Sequence, residues 1–170
     1  MRLEEFEPDL CKNEQEFSIS GLDTIELIKF AFAKDALFRF KVKGFSMSPF
    51  IRDGDIVKLS PVSHYPISFG RSVACVCPAH NRLMIHRVIS KKKEHYLIKG
   101  DNCSAPDGLM SKEDILGCVI GIERKNKAVF FGLGPERIII AFLSRKGLLL
   151  LVKQLIPESL RKLIKCRMLL

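Results

Sequence analysis

The sequence predicts a mainly β protein: a compact, antiparallel, partly open β-barrel with one helix before it and amphipathic helices after it. The first observation is an alternation of apolar and basic residues over 38–43, which is the period of a half-buried strand. The second is a series of short strand-like runs separated by glycine, proline and asparagine, as in small antiparallel barrels. The third is a helical pattern in residues 24–33 and again after Gly134.

The first element is a helix predicted over residues 24–33. Asp23 is placed to cap it, and Glu26 is placed to complete a capping box. One side of this helix is predicted to be apolar and consists of Leu22, Ile25, Ile28 and Phe32. The strands predicted after it, in chain order, are 38–43, 55–59, 72–77, 82–89, 95–99, 115–123 and 127–131.

Residues 133–170 are predicted to form amphipathic helices. Pro135 suits the first turn of a helix, and the apolar runs 138–143 and 148–156 are separated by a basic and glycine-containing break. Neither run reaches the ~18 residues that a bilayer span requires. Residues 137–170 contain eight Lys and Arg side chains and one acid. Three interpretations stay open: contact with an anionic membrane surface, contact with a partner protein, or coverage of the chain's own domain.

Length and charge divide the chain into three parts. With 170 residues and 47% hydrophobic composition, the chain can bury one good core, which we place in residues 22–132. Residues 1–21 are predicted to be an acidic, partly disordered tail, and 133–170 a basic helical tail. The acidic start has no secretory signal pattern, so we expect a cytoplasmic protein, in peripheral contact with the inner membrane face if the basic tail binds lipid.

The six cysteines do not show the spacing of a disulfide framework. Cys75 and Cys77 lie two apart in a predicted strand, so they share a face and cannot form an ordinary disulfide. We interpret the cysteines as reduced thiols in a reducing compartment. No accompanying ligand motif favours a metal site, and the prediction includes no metal and no cofactor.

Residues 43–55 are the most informative stretch, because they expose a serine beside a rigid turn. Ser46 is the candidate nucleophile. Gly44 lets the backbone come close to a bound peptide, and Pro49 fixes the path of the chain after the serine. Asp53-Gly54 supplies a tight turn before the next strand.

A serine hydroxyl becomes a good nucleophile only when a base removes its proton, and an imidazole does this best when a carboxylate holds its other nitrogen. His86 lies in a strand-like run, and Asp101 and Asp107 follow it. Considered alone, His86 has the sequence pattern of a core histidine, and Asp101 and Asp107 have the pattern of ordinary turn formers. The arrival of a nucleophile, a base and an acid in this order favours catalysis.

The order of these motifs resembles the signal peptidase I superfamily, in particular its Ser/His branch in archaea, the endoplasmic reticulum and some Gram-positive bacteria. The resemblance covers about residues 42–124, roughly half of the chain. The motifs that carry it include Ser46-Met47-x-Pro49, His86-Arg87-Val88, Gly100-Asp101-Asn102 and Asp107.

The resemblance implies the catalytic-domain fold that signal peptidases share with self-cleaving repressors. It also implies Ser46 as the nucleophile, His86 as the general base and Asp107 as the acid that orients it. The residues implied to support these three are Asp101, Gly44 and Met47, and which of the two acids orients His86 stays open.

An acyl transfer also needs donors for the developing oxyanion. The backbone N–H of Ser46 is the natural first donor. Bacterial Ser/Lys signal peptidases add a hydroxyl from two residues before the nucleophile, where this chain has Gly44. Ser48 is a candidate second donor.

We therefore predict a serine endopeptidase that cleaves a leader or precursor peptide, with small side chains just before the scissile bond as the resemblance implies. One alternative is a self-cleaving regulator, which requires a DNA-binding domain and a lysine base. The first 43 residues are too few and too acidic for that domain, so no nucleic acid partner is expected. The other alternative is an inactive module that binds peptides.

Overall fold

The computed structural model describes residues 21–78 and 81–155, which form a single antiparallel sheet with three helices. Its elements in chain order are α1 (Gly21–Ala33), β1 (Phe38–Lys41), β2 (Ile56–Pro61), β3 (Ser72–Cys77), β4 (Arg82–Lys92), β5 (His95–Lys99), β6 (Gly108–Met110), β7 (Ile115–Arg124), β8 (Lys127–Val129), α2 (Arg137–Arg145) and α3 (Leu148–Leu155). The strand order is β1-β2-β7-β3-β4-β5-β6, and β8 pairs with β7. The sheet curves as a half-barrel, which confirms the mainly β, antiparallel prediction.

Most predicted strands are present with small shifts at their ends. β3 and β5 have the predicted bounds, whereas β4 continues to Lys92 and β1 ends at Lys41. The short strand β6 was not predicted, because Pro106-Asp107-Gly108 indicates a turn when it is considered alone. The acidic segment 1–20 and residues 156–170 of the predicted helical tail lie outside the described residues.

The start of α1 differs from the prediction. The helix already includes Gly21 and Leu22, so Asp23 lies in its first turn and not at the capping position. Leu22, predicted on the apolar side, is 55% exposed, whereas Ile25 and Ile28 are buried. The apolar contact of α1 with the sheet therefore begins one turn later than the pattern indicated.

Two apolar clusters lie on opposite faces of the sheet, as strand alternation requires. In β4, Leu83 and Ile85 pack against the cluster that contains Ile28 of α1. Met84 and Val88 belong to the other cluster. Successive residues of β4 therefore face opposite sides of the sheet.

The helices after the sheet are held to it by apolar and polar contacts. Phe50 packs with Ile140 of α2 and Leu149 of α3 in a third cluster. The buried Lys99 of β5 donates through Nζ to the carbonyl oxygen of Ser144 at 3.0 Å, in the last turn of α2. A cation at a helix C-terminus is favourable because the last carbonyls have no partner within the helix. None of the helices in the described part of the chain has the length and apolar character needed to cross a membrane.

Candidate active site

The stretch around Ser46 is a compact turn that is anchored in the core. Gly44 has φ +106°, a conformation that favours glycine, and its N–H donates to Asp53 Oδ1 at 2.8 Å. Met47 is buried in the first apolar cluster, and the peptide bond between Ser48 and Pro49 is cis. Ser46 lies between these anchors and is partly exposed. The predicted supporting residues Gly44 and Met47 thus hold the shape of the turn.

His86 and Asp107 form a short hydrogen bond. His86 Nδ1 lies 2.6 Å from Asp107 Oδ2, and the two side chains are 7% and 22% exposed. A carboxylate that accepts the Nδ1 proton fixes the tautomer in which Nε2 is unprotonated and able to accept a proton. The structure therefore brings the predicted base and acid together, with Nε2 left to face the rest of the site.

Strand pairing explains this contact. Arg87 of β4 pairs with Lys99 of β5, and Ile98 of β5 pairs with Gly108 of β6. His86 directly precedes Arg87, and Asp107 directly precedes Gly108. Both therefore lie at the end of the paired region of β4, β5 and β6 where Gly100 follows β5. The Asp107 N–H also donates to the Ile98 carbonyl at 3.0 Å, which extends the pairing.

Gly100 is the point where the turn and the histidine meet. A Cβ atom at Gly100 would lie 2.8 Å from the Ser46 carbonyl oxygen and 3.0 Å from His86 Nε2. The Asn102 N–H donates to the same Ser46 carbonyl at 2.7 Å. Gly100 and Asn102 belong to the motif that the sequence identifies, but their roles beside Ser46 were not predicted. They bring the main chain of Ser46 to the imidazole.

The hydroxyl of Ser46 is not hydrogen-bonded to His86. Among residues 21–78 and 81–155, neither the hydroxyl nor the N–H of Ser46 has a hydrogen-bond partner. Nucleophile–base bonds are often long in ligand-free sites and shorten when substrate binds. The unpaired N–H is the group that an oxyanion would need. The backbone N–H of Ser48, the residue considered as a second oxyanion donor, instead donates to the Phe45 carbonyl oxygen at 3.1 Å.

Asp101 has a different partner from Asp107. It is fully buried, and its carboxylate accepts from Arg87 Nε at 2.9 Å and from Nη2 at 2.7 Å. The structure places Asp107 on His86, and Asp101 supports the site through Arg87. Of the two acids that the sequence left open, Asp107 is therefore the one in contact with the histidine.

Arg87 joins four segments of the chain around the site. Besides Asp101, its Nη1 donates to the carbonyls of Gly70 at 2.7 Å and Gly132 at 3.0 Å. Its guanidinium also lies over the ring of Phe50, 5.5 Å from the centroid. No separate role was predicted for Arg87 from the sequence. The available signal was an arginine within the mostly apolar run 83–89, next to the predicted base.

The described cysteines are unpaired thiols. Burial, with a smaller effect of the nearby Asp107 charge, raises the pKa of Cys75 to about 12, and burial raises the pKa of Cys118 to about 11. Burial also raises the pKa of Cys103, whose sulfur lies beside Gly100. These thiols are protonated at neutral pH and are therefore poor nucleophiles and poor metal ligands. In the part of the chain that the structure describes, His, Cys, Asp and Glu do not form a group of three that could hold a metal ion.

Replacing Gly100 by alanine is expected to lower the free energy of unfolding by about 1–3 kcal/mol, because the methyl group has no room. Its carbon would lie 2.6 Å from the Cys103 sulfur in addition to the two contacts described above. The measurement is urea denaturation. Gly121→Ala is the matched control, since its nearest neighbour is the flexible side chain of Lys58 at 3.3 Å. An equal loss in both variants would contradict the close packing inferred at Gly100.

Searches against protein-family models and against curated protein sequences find no match to this chain. The chemistry of the site is therefore inferred from its residues and their geometry.

Proposed function

We propose that this protein is a serine endopeptidase that cleaves a leader or precursor peptide through an acyl-enzyme. Ser46 is the proposed nucleophile, His86 the general base and Asp107 the acid that orients the base. The observation that carries the proposal is the partly buried 2.6 Å bond between His86 Nδ1 and Asp107 Oδ2, together with the position of Nε2 beside the Ser46 main chain. We further propose that the half-barrel belongs to the type found in signal peptidases and self-cleaving repressors.

In the first proposed step, the Ser46 oxygen attacks the scissile carbonyl carbon while its proton moves to His86 Nε2. The negative charge that develops on the carbonyl oxygen is stabilised by the N–H of Ser46. Collapse of this intermediate breaks the C–N bond, and the His86 imidazolium donates its proton to the departing amine. Asp107 stabilises the imidazolium by accepting the Nδ1 hydrogen.

In the second step, water attacks the ester carbonyl of the acyl-enzyme. His86, neutral again, removes a proton from that water. Collapse of the resulting intermediate breaks the bond between the acyl carbon and the Ser46 oxygen, and His86 returns the proton to that oxygen. The products are two peptides and the regenerated serine, so the reaction consumes one water molecule and needs no redox partner.

An extended peptide is the substrate form that best suits the sheet. Among the described strands, β1 is the last at one end of the strand order and pairs with β2, and its outer edge is the proposed place for strand addition by the substrate. The strand also leads directly into the turn that contains Ser46. The proposed substrate is therefore an unfolded leader or precursor segment, and the proposed location is the cytoplasm. The proposal also includes small substrate side chains just before the scissile bond, and this part is implied by the family resemblance alone.

The proposal is tested with a fluorophosphonate probe, which forms a covalent bond with activated serines. The wild type is expected to be labelled at Ser46, and Ser46→Ala is expected to lose the label. Ser63→Ala is the matched control, because this serine is exposed in the loop between β2 and β3 and is expected to leave labelling unchanged. Equal labelling of wild type and Ser46→Ala would refute the nucleophile. Peptides that bind near Ser46 without being cleaved would instead identify a peptide-binding module.

A further inference from the structure

The helix α2 has one buried face and one exposed apolar face. Ile140, Ala141 and Ser144 are buried against the rest of the protein. Ile138, Ile139 and Phe142, on the opposite side, are 52%, 63% and 52% exposed. Isolated exposed apolar residues are common on protein surfaces, but three large ones on a two-turn helix form a patch.

Further exposed apolar side chains flank α2 along the chain. Phe130 and Phe131 precede the helix, and Leu148 and Leu151 of α3 follow it, and all four side chains are exposed. Phe131 also contacts Phe50, with 5.6 Å between ring centroids. We call the exposed side chains of Phe130, Phe131, Ile138, Ile139, Phe142, Leu148 and Leu151 the apolar surface.

The apolar surface is held in place by the buried side of the helices. Phe50, Ile140 and Leu149 form the cluster beneath it, and Lys99 Nζ binds the Ser144 carbonyl at the end of α2. Because α2 is anchored at both its middle and its end, its exposed residues cannot turn inward without breaking these contacts. The exposure of the patch is therefore a consequence of how α2 is docked.

Basic side chains border the apolar surface. Arg145 lies three residues after Phe142, and Lys146 lies four residues after it. Helical spacing therefore places both basic side chains beside Phe142, and both are exposed. Residues 137–155 contain four bases and no acid, and residues 156–170 add four more bases and Glu158. A large apolar face with a basic border is typical of helices that lie in the interface of anionic membranes.

We propose that the apolar surface binds the headgroup region of an anionic lipid membrane, with Arg145 and Lys146 at the level of the lipid phosphates. A second copy of the chain is a poorer occupant, because a symmetric pair would bring the two basic borders together. An acidic peptide would match the charge and leave most of the large apolar side chains in water. This inference is independent of the catalytic proposal.

Phe50 connects the lipid contact to the candidate active site. It lies four residues after Ser46 in the same turn, and it packs beneath the apolar surface. A protein docked through α2 and α3 would thus bind the membrane through the same helices that pack on the turn containing Ser46.

The experiment measures cosedimentation of the full chain with vesicles. One set contains phosphatidylglycerol and phosphatidylcholine, and the other contains phosphatidylcholine alone. Binding is expected for the anionic set, with weakening as salt increases. The double variant Ile138→Ser/Ile139→Ser is expected to bind at least about tenfold more weakly, because two large apolar groups are lost from the lipid contact. Arg145→Gln/Lys146→Gln is expected to reduce the preference for anionic lipid.

The matched control is Leu27→Ser/Phe30→Ser, which removes two exposed apolar side chains from α1, outside the apolar surface. It is expected to bind like the wild type. The proposal is overturned if the full chain does not bind anionic vesicles, or if the α1 and α2 variants weaken binding equally. It is also overturned if Ile138→Ser/Ile139→Ser leaves vesicle binding unchanged and instead dissociates a homodimer or a complex with an acidic protein. Ser46→Ala is expected to bind vesicles normally, which separates this result from the test of catalysis.

Discussion

Replacing His86 by alanine is expected to lower the rate of covalent labelling of Ser46 by about 10⁴-fold. Replacing Asp107 by asparagine is expected to lower this rate by a similar order. The histidine variant loses the group that accepts the serine proton. The asparagine keeps the shape of Asp107 but donates or accepts a neutral hydrogen bond, so the tautomer with a free Nε2 is no longer enforced. The first variant removes the 2.6 Å contact between Nδ1 and Oδ2, and the second removes the carboxylate charge from it.

The measurement is the second-order rate of fluorophosphonate labelling, followed by mass spectrometry of the Ser46 peptide. His95→Ala is the matched control for the histidine, because His95 is exposed at the start of β5. It is expected to react like the wild type. Circular dichroism checks that each variant is folded. If folded His86→Ala reacts at the wild-type rate, the serine is not activated by this imidazole and the proposed mechanism is wrong.

Replacing Asp101 by alanine is expected to lower the free energy of unfolding by about 3–5 kcal/mol, because it leaves the buried Arg87 cation without its counter-charge. Both side chains are almost completely buried, at 1% and 0% exposure. Arg87 would retain its bonds to the carbonyls of Gly70 and Gly132, which satisfy hydrogen bonds without neutralising the charge. The measurement is the urea midpoint and slope of the variant compared with the wild type.

Two further variants make this result specific. Glu123→Ala removes an acid whose partners, Arg39 and Lys58, are both exposed, and a much smaller loss is expected because solvent screens the pair. Asp101→Leu combined with Arg87→Met removes both buried charges and is expected to be more stable than Asp101→Ala alone. If Asp101→Ala and Glu123→Ala lose the same stability, the Arg87–Asp101 pair is not the central support that we infer.

The different roles of Asp101 and Asp107 could not be predicted from the sequence. Both follow His86 in turn-like sequences, and both fit the motif order. Their roles differ because β6 pairs with β5, which carries Asp107 to the Nδ1 side of the imidazole. The strand is three residues long, and a pattern of period two cannot be recognised over so short a run. Asp101 lies next to Gly100 at the end of β5 and meets Arg87 from the adjacent strand.

The contacts around Gly100 and α2 were also inaccessible from the sequence. The glycine has an ordinary backbone conformation, and its necessity comes from the nearby Cys103 and from Ser46 and His86, which are distant in the sequence but lie against it. Amphipathic periodicity predicted a helix after Pro135. It could not indicate which apolar side chains would face Phe50 and which would face solvent, because the helix is apolar over most of its circumference.

From the sequence alone, the antiparallel β class, most strand positions, and the serine, histidine and aspartate of the candidate site could be predicted, since alternation and turn chemistry are local properties of the chain. Tertiary structure decided which acid contacts His86, which arginine neutralises the other acid, and that Gly100 and Asn102 lie against the Ser46 carbonyl. These contacts join residues up to tens of positions apart, and strand register, which the local pattern does not encode, determines whether their atoms come within bonding distance.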